Sequence, residues 1–307
     1  MIKGLHHVTA ITGNIRKSIR FYTEILGLSF VKKTVNFDNP SVWHFYFGNQ
    51  IGSPGTVITF FSQPGLPRGQ AGVGSTKVCG FSVSETSLDF WKKRLREYQV
   101  EFRGPFSRFG EDYLVVLDLD GLELELVASA ADTRLGSETP GIKAVNSIKG
   151  LHHVEITCSN ADKTNSFFTY YLGHNLIKED NGRFRLFSGD AVPGQYVDIV
   201  SRPTLPLHRS GIGTVHHVAF SVPDQEALKL TRDKMAKGCT HISPIYDRHY
   251  FKSIYFRDPG GVKLELATAD PGFLIDESLE HLGQHLMLPP WLEPDREKIT
   301  AALPSID

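Results

Sequence analysis

Short apolar runs recur along the chain with helical patterns between them in a fixed order. Leu5 to Thr12 is a strand-like run; Ile15, Ile19, Tyr22 and Leu26 then follow helical spacing, with Asn14 placed to cap that helix and Gly27 to close it. Strand-like runs follow at Ser29 to Thr34, Val42 to Phe47 and Thr56 to Phe61, so the unit reads β-α-β-β-β. The order returns from Lys77 to Val127, where Leu88, Trp91, Leu95 and Tyr98 mark the helix. There Tyr113 to Leu117 and Glu123 to Val127 form a hairpin across Asp118 to Gly121. A third copy starts at Leu151, carries a helix from about Asn160 to Leu172 before Gly173, and ends near Tyr196 to Val200. The fourth starts at Val215, has its helix from about Asp224 to Lys237, and ends in a hairpin over Ser253 to Thr268. The copies predict modules one and two over 1–130 and modules three and four over 150–270. Between them, 131–149 is rich in Ser, Thr, Gly and Pro and reads as a linker. The segment 271–307, with a short helical pattern and then Pro289-Pro290-Trp291, reads as a tail packing on the modules.

Composition narrows the class. With 40% hydrophobic and 22% charged residues among 307, the chain can bury one or two cores and shows no sign of disorder. Thirty-three basic residues against 34 acidic ones leave no electrostatic footprint for nucleic acid or an anionic membrane, so a small-molecule partner is expected. No apolar stretch approaches membrane-spanning length and no signal-peptide pattern opens the sequence, which makes the cytoplasm the expected setting. Cys79, Cys158 and Cys239 lie far apart and outside CxxC spacing, which argues against a disulfide framework or a structural zinc site; reduced, mostly buried thiols are expected. The oligomeric state is not fixed, and a homo-oligomer is compatible with the sequence.

The candidate chemistry lies in a repeated word. GLHHVT from Gly4, GLHHVE from Gly150 and GTVHHVA from Gly213 each set a His-His pair in a first strand. Aligned, the first strands place His7, Val78, His153 and His217 at one position, and the last strands place Thr59, Glu125, Asp198 and Glu265 at another. Neutral imidazole is the commonest protein ligand for a transition metal, so these positions suggest a metal site assembled between repeats. Only the fourth copy supplies both a His and a Glu. Strand parity sets Val262, Leu264 and Leu266 on an apolar face and Glu265 on the other, with Ser253, Tyr255 and Arg257 beside it across the hairpin. The second histidine is His153 if copies three and four pair, or His7 if copies one and four do. In a regular strand His6, His152 and His216 face away from the ligand positions, either as buried imidazoles bonded to backbone or as supports for the ligands. His44, within HFYFG, carries a weaker signal.

Paired β-α-β-β-β units with a strand-borne His and a Glu on the last strand resemble the vicinal oxygen chelate superfamily, which includes glyoxalases, fosfomycin-resistance enzymes and extradiol dioxygenases. Three stretches resemble its hydroquinone-type ring-cleaving dioxygenase branch: FVKKTVNFD (Phe30 to Asp38), HFYFGNQIGSPGTVITFF (His44 to Phe61) and YFKSIYFRDPGGVKLELAT (Tyr250 to Thr268). The resemblance covers most of the chain and implies an α+β fold of four βαβββ modules paired into two half-barrel domains. It implies ring cleavage of a dihydroxylated aromatic, of hydroquinone or catechol type, by O2 at a mononuclear 2-His-1-carboxylate Fe(II) site, with Mn(II) as the alternative metal. That branch assembles its site from copies one and four, so the implied metal ligands are His7, His217 and Glu265. Tyr255 and Arg248 match its catalytic pair. A glyoxalase-like isomerase or thiol transferase would use a similar cradle without O2, and a metal-free sequestering protein would not need the ligand set.

Overall fold

The computed structural model describes residues 2–238 and 241–306. Module one is β1 (Leu5–Thr12), α1 (Ile15–Arg20, continued by a wider π-helical turn, Phe21–Ile25), β2 (Ser29–Asn36), β3 (Asn39–Gly48) and β4 (Val57–Ser62). Module two is β5 (Ser75–Val83), α2 (Leu88–Glu97), β6 (Phe102–Arg108), β7 (Glu111–Leu117) and β8 (Glu123–Ala128). Module three is β9 (Gly150–Cys158), α3 (Ala161–Leu172), β10 (Asn175–Asp180), β11 (Arg183–Phe187) and β12 (Tyr196–Ser201). Module four is β13 (Val215–Val222), α4 (Gln225–Met235), β14 (Tyr246–Asp247), β15 (Lys252–Arg257) and β16 (Lys263–Thr268).

Local chemistry sets the same boundaries in each copy. Asn14, Asn160 and Asp224 accept from the amides of Lys17, Lys163 and Ala227 at 3.0, 3.0 and 2.8 Å, satisfying donors that a helix start leaves unpaired. Gly173 closes α3 with φ +68°, a conformation that costs glycine nothing. Asp118 and Asp258 fold the final hairpins of modules two and four by accepting from the amides of Leu122 and Val262 at 2.8 and 2.7 Å.

Among the described residues, sixteen strands form two eight-stranded sheets, ordered β14-β15-β16-β13-β1-β4-β3-β2 and β10-β11-β12-β9-β5-β8-β7-β6. Each sheet takes one module from either half of the chain: β1 pairs antiparallel with β13, and β5 with β9. Modules one and four therefore share one half-barrel and modules two and three the other, so the division into 1–130 and 150–270 follows chain order but not the sheets. The reason is the open edge of each first strand, which is paired by the first strand of a module from the other half of the chain. A single apolar cluster runs through both half-barrels, including Phe60 of module one, Trp91 of module two, Phe168 of module three and Phe220 of module four.

The stretch 131–149 is a packed strap and not a free linker. Ile142 and Ile148 join the core, and Arg134 donates to the carbonyls of Gly55 and Leu151 at 3.1 and 2.7 Å. The tail packs on modules one and four. Leu288 and Ile299, the latter on α5 (Arg296–Ala302), bury against Val35. Lys32 is fully buried, and its ammonium lies 2.6 Å from both Asp276 and Glu277; Asp276 also accepts from Tyr250 at 2.8 Å. Cys79 and Cys158 are free and buried, and Cys239 lies outside the described residues. No helix among the described residues is long and apolar enough to cross a membrane.

Candidate metal centre

The four last-strand positions meet their first strands in one register. Thr59 pairs with Thr9, Glu125 with Gly80, Asp198 with Glu155 and Glu265 with Ala219, in each case two residues beyond the aligned position of the first strand. Since side chains two apart share a face, His7, His217, Glu265 and Thr59 point to one centre, and Val78, His153, Glu125 and Asp198 to another.

In the first half-barrel, Glu265 Oε2 lies 2.9 Å from His217 Nε2 and 3.4 Å from His7 Nε2, and the two Nε2 atoms are 3.4 Å apart. All three side chains are buried, Glu265 completely. The structure thus sets His7, and not His153, beside His217 and Glu265. Behind each imidazole stands the first histidine of its pair: His6 Nδ1 is 2.8 Å from His7 Nδ1, and His216 Nδ1 is 2.7 Å from His217 Nδ1. The expectation that these histidines face away is corrected here. The register of β1 against β13 slips between Leu5 and His7, and again between the partners His217 and Val215, so a bulge at the first histidine turns its ring toward its neighbour.

The bulge has an electronic consequence. His6 Nε2 lies 3.1 Å from the Thr268 carbonyl, which can only accept, so His6 donates there. Burial first, and His7 second, pull the pKa of His6 down to about 3, so it is neutral and its Nδ1 is an acceptor. His7 therefore donates from Nδ1 and presents a lone pair at Nε2. Burial and then His217 likewise bring His216 to about 2, so His216 too is a neutral imidazole behind its partner. Two lone pairs and a carboxylate oxygen converge on one point, and neither Glu265 oxygen has a hydrogen-bond partner despite the short distance to His217. Three acceptors packed this closely repel one another unless a proton or a metal cation lies between them. The donor set fits a metal with a 2-His-1-carboxylate face and free positions beyond it.

Those positions open into a cavity of about 450 Å³, lined among others by Phe37, His44, Phe61, Phe251, Tyr255 and Arg248. Tyr255 is the direct cross-strand partner of Glu265, with its ring edge-on to His217 at 5.7 Å. Burial, and then Glu265, raise its pKa, so it is a protonated phenol. Arg248 lies over the Tyr255 ring at 5.1 Å and forms a two-point ion pair with Asp38 at 2.8 and 2.9 Å. Thr59, the fourth position, is turned away into hydrogen bonds with Thr9 and His44, both 2.8 Å, and Tyr46 bonds His44 from the other side at 2.9 Å. The sequence reading missed Asp38, Tyr46 and the His-His contact. Tyr46 shares the parity of His44, which was a usable signal; Asp38 stands 210 residues from Arg248, and no spacing could relate them.

The second half-barrel holds the same scaffold in a different state. His152 Nδ1 meets His153 Nδ1 at 3.0 Å, but Arg108 occupies the centre: it pairs two-pronged with Glu125 and reaches His153 Nε2 at 3.3 Å. Asp198 is taken by Arg185 at 2.7 and 3.0 Å and by Arg183 at 3.0 Å. Guanidinium groups here stand where the other half-barrel leaves its acceptors unpaired.

A duplicated βαβββ protein with, among the described residues, one cluster of two histidines and a glutamate beside a cavity is the class that this fold and geometry define. The chain belongs to the Glyoxalase/Bleomycin resistance protein/Dioxygenase superfamily, whose model matches residues 4–126 and 150–266. It is 40% identical to MhqE of Bacillus subtilis (strain 168), provisionally named a ring-cleaving dioxygenase, over 99% of both chains. It is 33% identical to the chlorohydroquinone/hydroquinone 1,2-dioxygenase of Sphingobium indicum over 97% of this chain and 95% of that one. A crystal structure of a provisionally named dioxygenase from Bacillus subtilis superposes with a TM-score of 0.94 at 35% identity, covering 100% of this chain and 98% of the other.

Proposed function

We propose that this protein is a ring-cleaving dioxygenase for a dihydroxylated aromatic of hydroquinone type, using Fe(II), or Mn(II), held by His7, His217 and Glu265. The observation that carries the reading is the convergence of His7, His217 and Glu265 on one point at the base of an aromatic-lined cavity. Full-length relatives named for ring cleavage and hydroquinone dioxygenation support it.

A divalent redox metal at this face supplies open positions and the means to pass electron density from an electron-rich ring to dioxygen. Both oxygen atoms enter the product and the ring supplies the electrons, so no external reductant is consumed. The bond broken joins a hydroxylated carbon to a neighbour without a hydroxyl, the extradiol sense of cleavage. The chain's own residues orient and protect. The Tyr255 phenol donates a hydrogen bond to a diol oxygen, and Arg248, permanently charged, stabilises the phenolate form. Phe37, Phe61 and Phe251 pack on the ring and keep water from the centre.

Oxygen uptake by protein loaded anaerobically with Fe(II), across substituted hydroquinones and catechols, tests the reading. One O2 consumed per hydroquinone is the expected result. No uptake with any diol, or metal-dependent isomerisation or thiol transfer that proceeds without O2, refutes it.

A further inference from the structure

Lys263 opens β16 two residues before Glu265, so the two side chains share a face. It lines the 450 Å³ cavity and also a smaller one of about 170 Å³ that adjoins it at His216 and His217. Arg257, the cross-strand partner of Lys263, lines the smaller cavity together with His208, Ser75 and Ser210, and no carboxylate does. Four other partly or fully buried cations of this chain meet carboxylates: Lys32 with Asp276 and Glu277, Arg108 with Glu125, Arg185 with Asp198, Arg248 with Asp38. Lys263, partly buried, and Arg257, exposed at the rim, do not. Among the described residues no carboxylate oxygen lies within 4.0 Å of either charged group; the Lys263 ammonium sits over the Tyr255 ring at 5.2 Å, and Arg257 donates to the Gly261 carbonyl. His216 borders both cavities.

A half-buried ammonium with no carboxylate in direct contact is costly to maintain. With a divalent metal in place, Glu265 and Asp38 do not balance the cationic groups around the cavity, and one diol phenolate leaves the Lys263 side unanswered. We infer that Lys263, backed by Arg257 and His208, forms a subsite for a carboxylate carried by the aromatic diol, on the ring or on a short side chain. This rests on the ring-cleavage reading and names the substrate class within it: hydroquinones with an acidic substituent.

The test compares kcat/KM by oxygen uptake for hydroquinone, methylhydroquinone, 2,5-dihydroxybenzoate and 2,5-dihydroxyphenylacetate in the wild type, Lys263→Met and Lys263→Arg. Calorimetric binding of the same diols to metal-loaded protein under nitrogen runs beside it. Expected is a wild-type preference for at least one acidic diol over the neutral pair. Its ratio of acidic to neutral kcat/KM falls roughly 10- to 100-fold in Lys263→Met, the scale of a charge-assisted hydrogen bond, and Lys263→Arg retains most of it. The binding ratio moves in parallel. Turnover of neutral diols with no preference for either acidic diol overturns the subsite while leaving ring cleavage intact, and the wild type alone decides this even if Lys263→Met does not fold. A changed product inhibition with an unchanged substrate ratio assigns Lys263 to the carboxylate formed on ring opening and also overturns it. No turnover of any diol removes the underlying reading and the subsite together.

Discussion

Replacing His6 by Ala is predicted to weaken metal binding while leaving all three ligands in place. His6 fixes His7 from behind: its Nε2–H is anchored on the Thr268 carbonyl at 3.1 Å, its Nδ1 accepts from His7 Nδ1 at 2.8 Å, and its ring packs on Phe251 at 5.1 Å. Without it, the buried His7 Nδ1–H has no acceptor, and the imidazole gains both rotation and the tautomer that puts a proton on Nε2, where the metal must bind. Partners of this kind behind a metal-bound histidine are worth about 10- to 100-fold in affinity, which is about 1.4 to 2.8 kcal/mol.

The second half-barrel supplies the comparison. His152 is fully buried, with its Nδ1 3.0 Å from His153 Nδ1, so His152→Ala removes the same imidazole from the same kind of bulge beside a centre filled by Arg108. Both variants lose stability from the cavity they create. Only His6→Ala loses metal affinity, measured by competition with a chromophoric chelator at neutral pH, with melting temperatures recorded for both. Affinity within about twofold of wild type in His6→Ala, on a scale where tenfold is about 1.4 kcal/mol, refutes the tautomer argument. An equal loss in His152→Ala refutes it too, because the effect would then be global.

Three further outcomes follow from the same geometry. Protein saturated with Fe(II), Mn(II) or Co(II) should carry one equivalent per chain by elemental analysis, because Arg108 fills the second centre; two equivalents would contradict that assignment. Tyr255→Phe should keep its metal and lose turnover by about 10²-fold, the scale of one positioned donor, and unchanged turnover would take Tyr255 out of the chemistry. Burial alone would raise the carboxyls of Glu111 and Glu125, but His152 and Arg185, and His153 and Arg108, outweigh it and hold both at about 2. Folded values below the ordinary 4.5 mean stability that is present above that pH and is lost as pH falls toward about 2, so melting temperature should drop across this window; a flat profile there would refute it.

Much of this was legible in the sequence, for definite physical reasons. Periods of 2 and 3.6 in the apolar pattern, with Asn14, Asn160 and Asp224 at helix starts, set the four modules in the order the structure shows. Duplication made the alignment of His7 with His217 and of Thr59 with Glu265 possible, and the strand registers match that alignment. What stayed hidden is long-range. Whether β1 pairs with β13 depends on edges that carry no local mark, so His7 and His153 were indistinguishable by pattern alone. The bulge that turns His6 onto His7 breaks the alternation on which parity reasoning depends, although the glycine before each pair hinted at irregular backbone: Gly4 and Gly150 hold φ +116° and +147°. The packing of the linker over 131–149 was not legible because polar composition concealed two apolar anchors, Ile142 and Ile148.

The two half-barrels also explain each other. Each carries an arginine at the end of the second strand of a module: Arg108 closes β6 in module two, and Arg248 follows β14 in module four. Arg108 reaches inward, pairs with Glu125 and satisfies His153, so its centre is electrically complete without a metal. Arg248 is caught by Asp38 at the start of β3's turn, in a two-point ion pair at 2.8 and 2.9 Å, and Asp38 belongs to module one. That pairing across modules engages the guanidinium, and no ion pair between Arg248 and Glu265 forms among the described residues. An open metal face on this scaffold therefore takes two conditions: convergent acceptors, and a carboxylate elsewhere that engages the arginine which would otherwise fill the gap. The first half-barrel meets both, and the second meets only one.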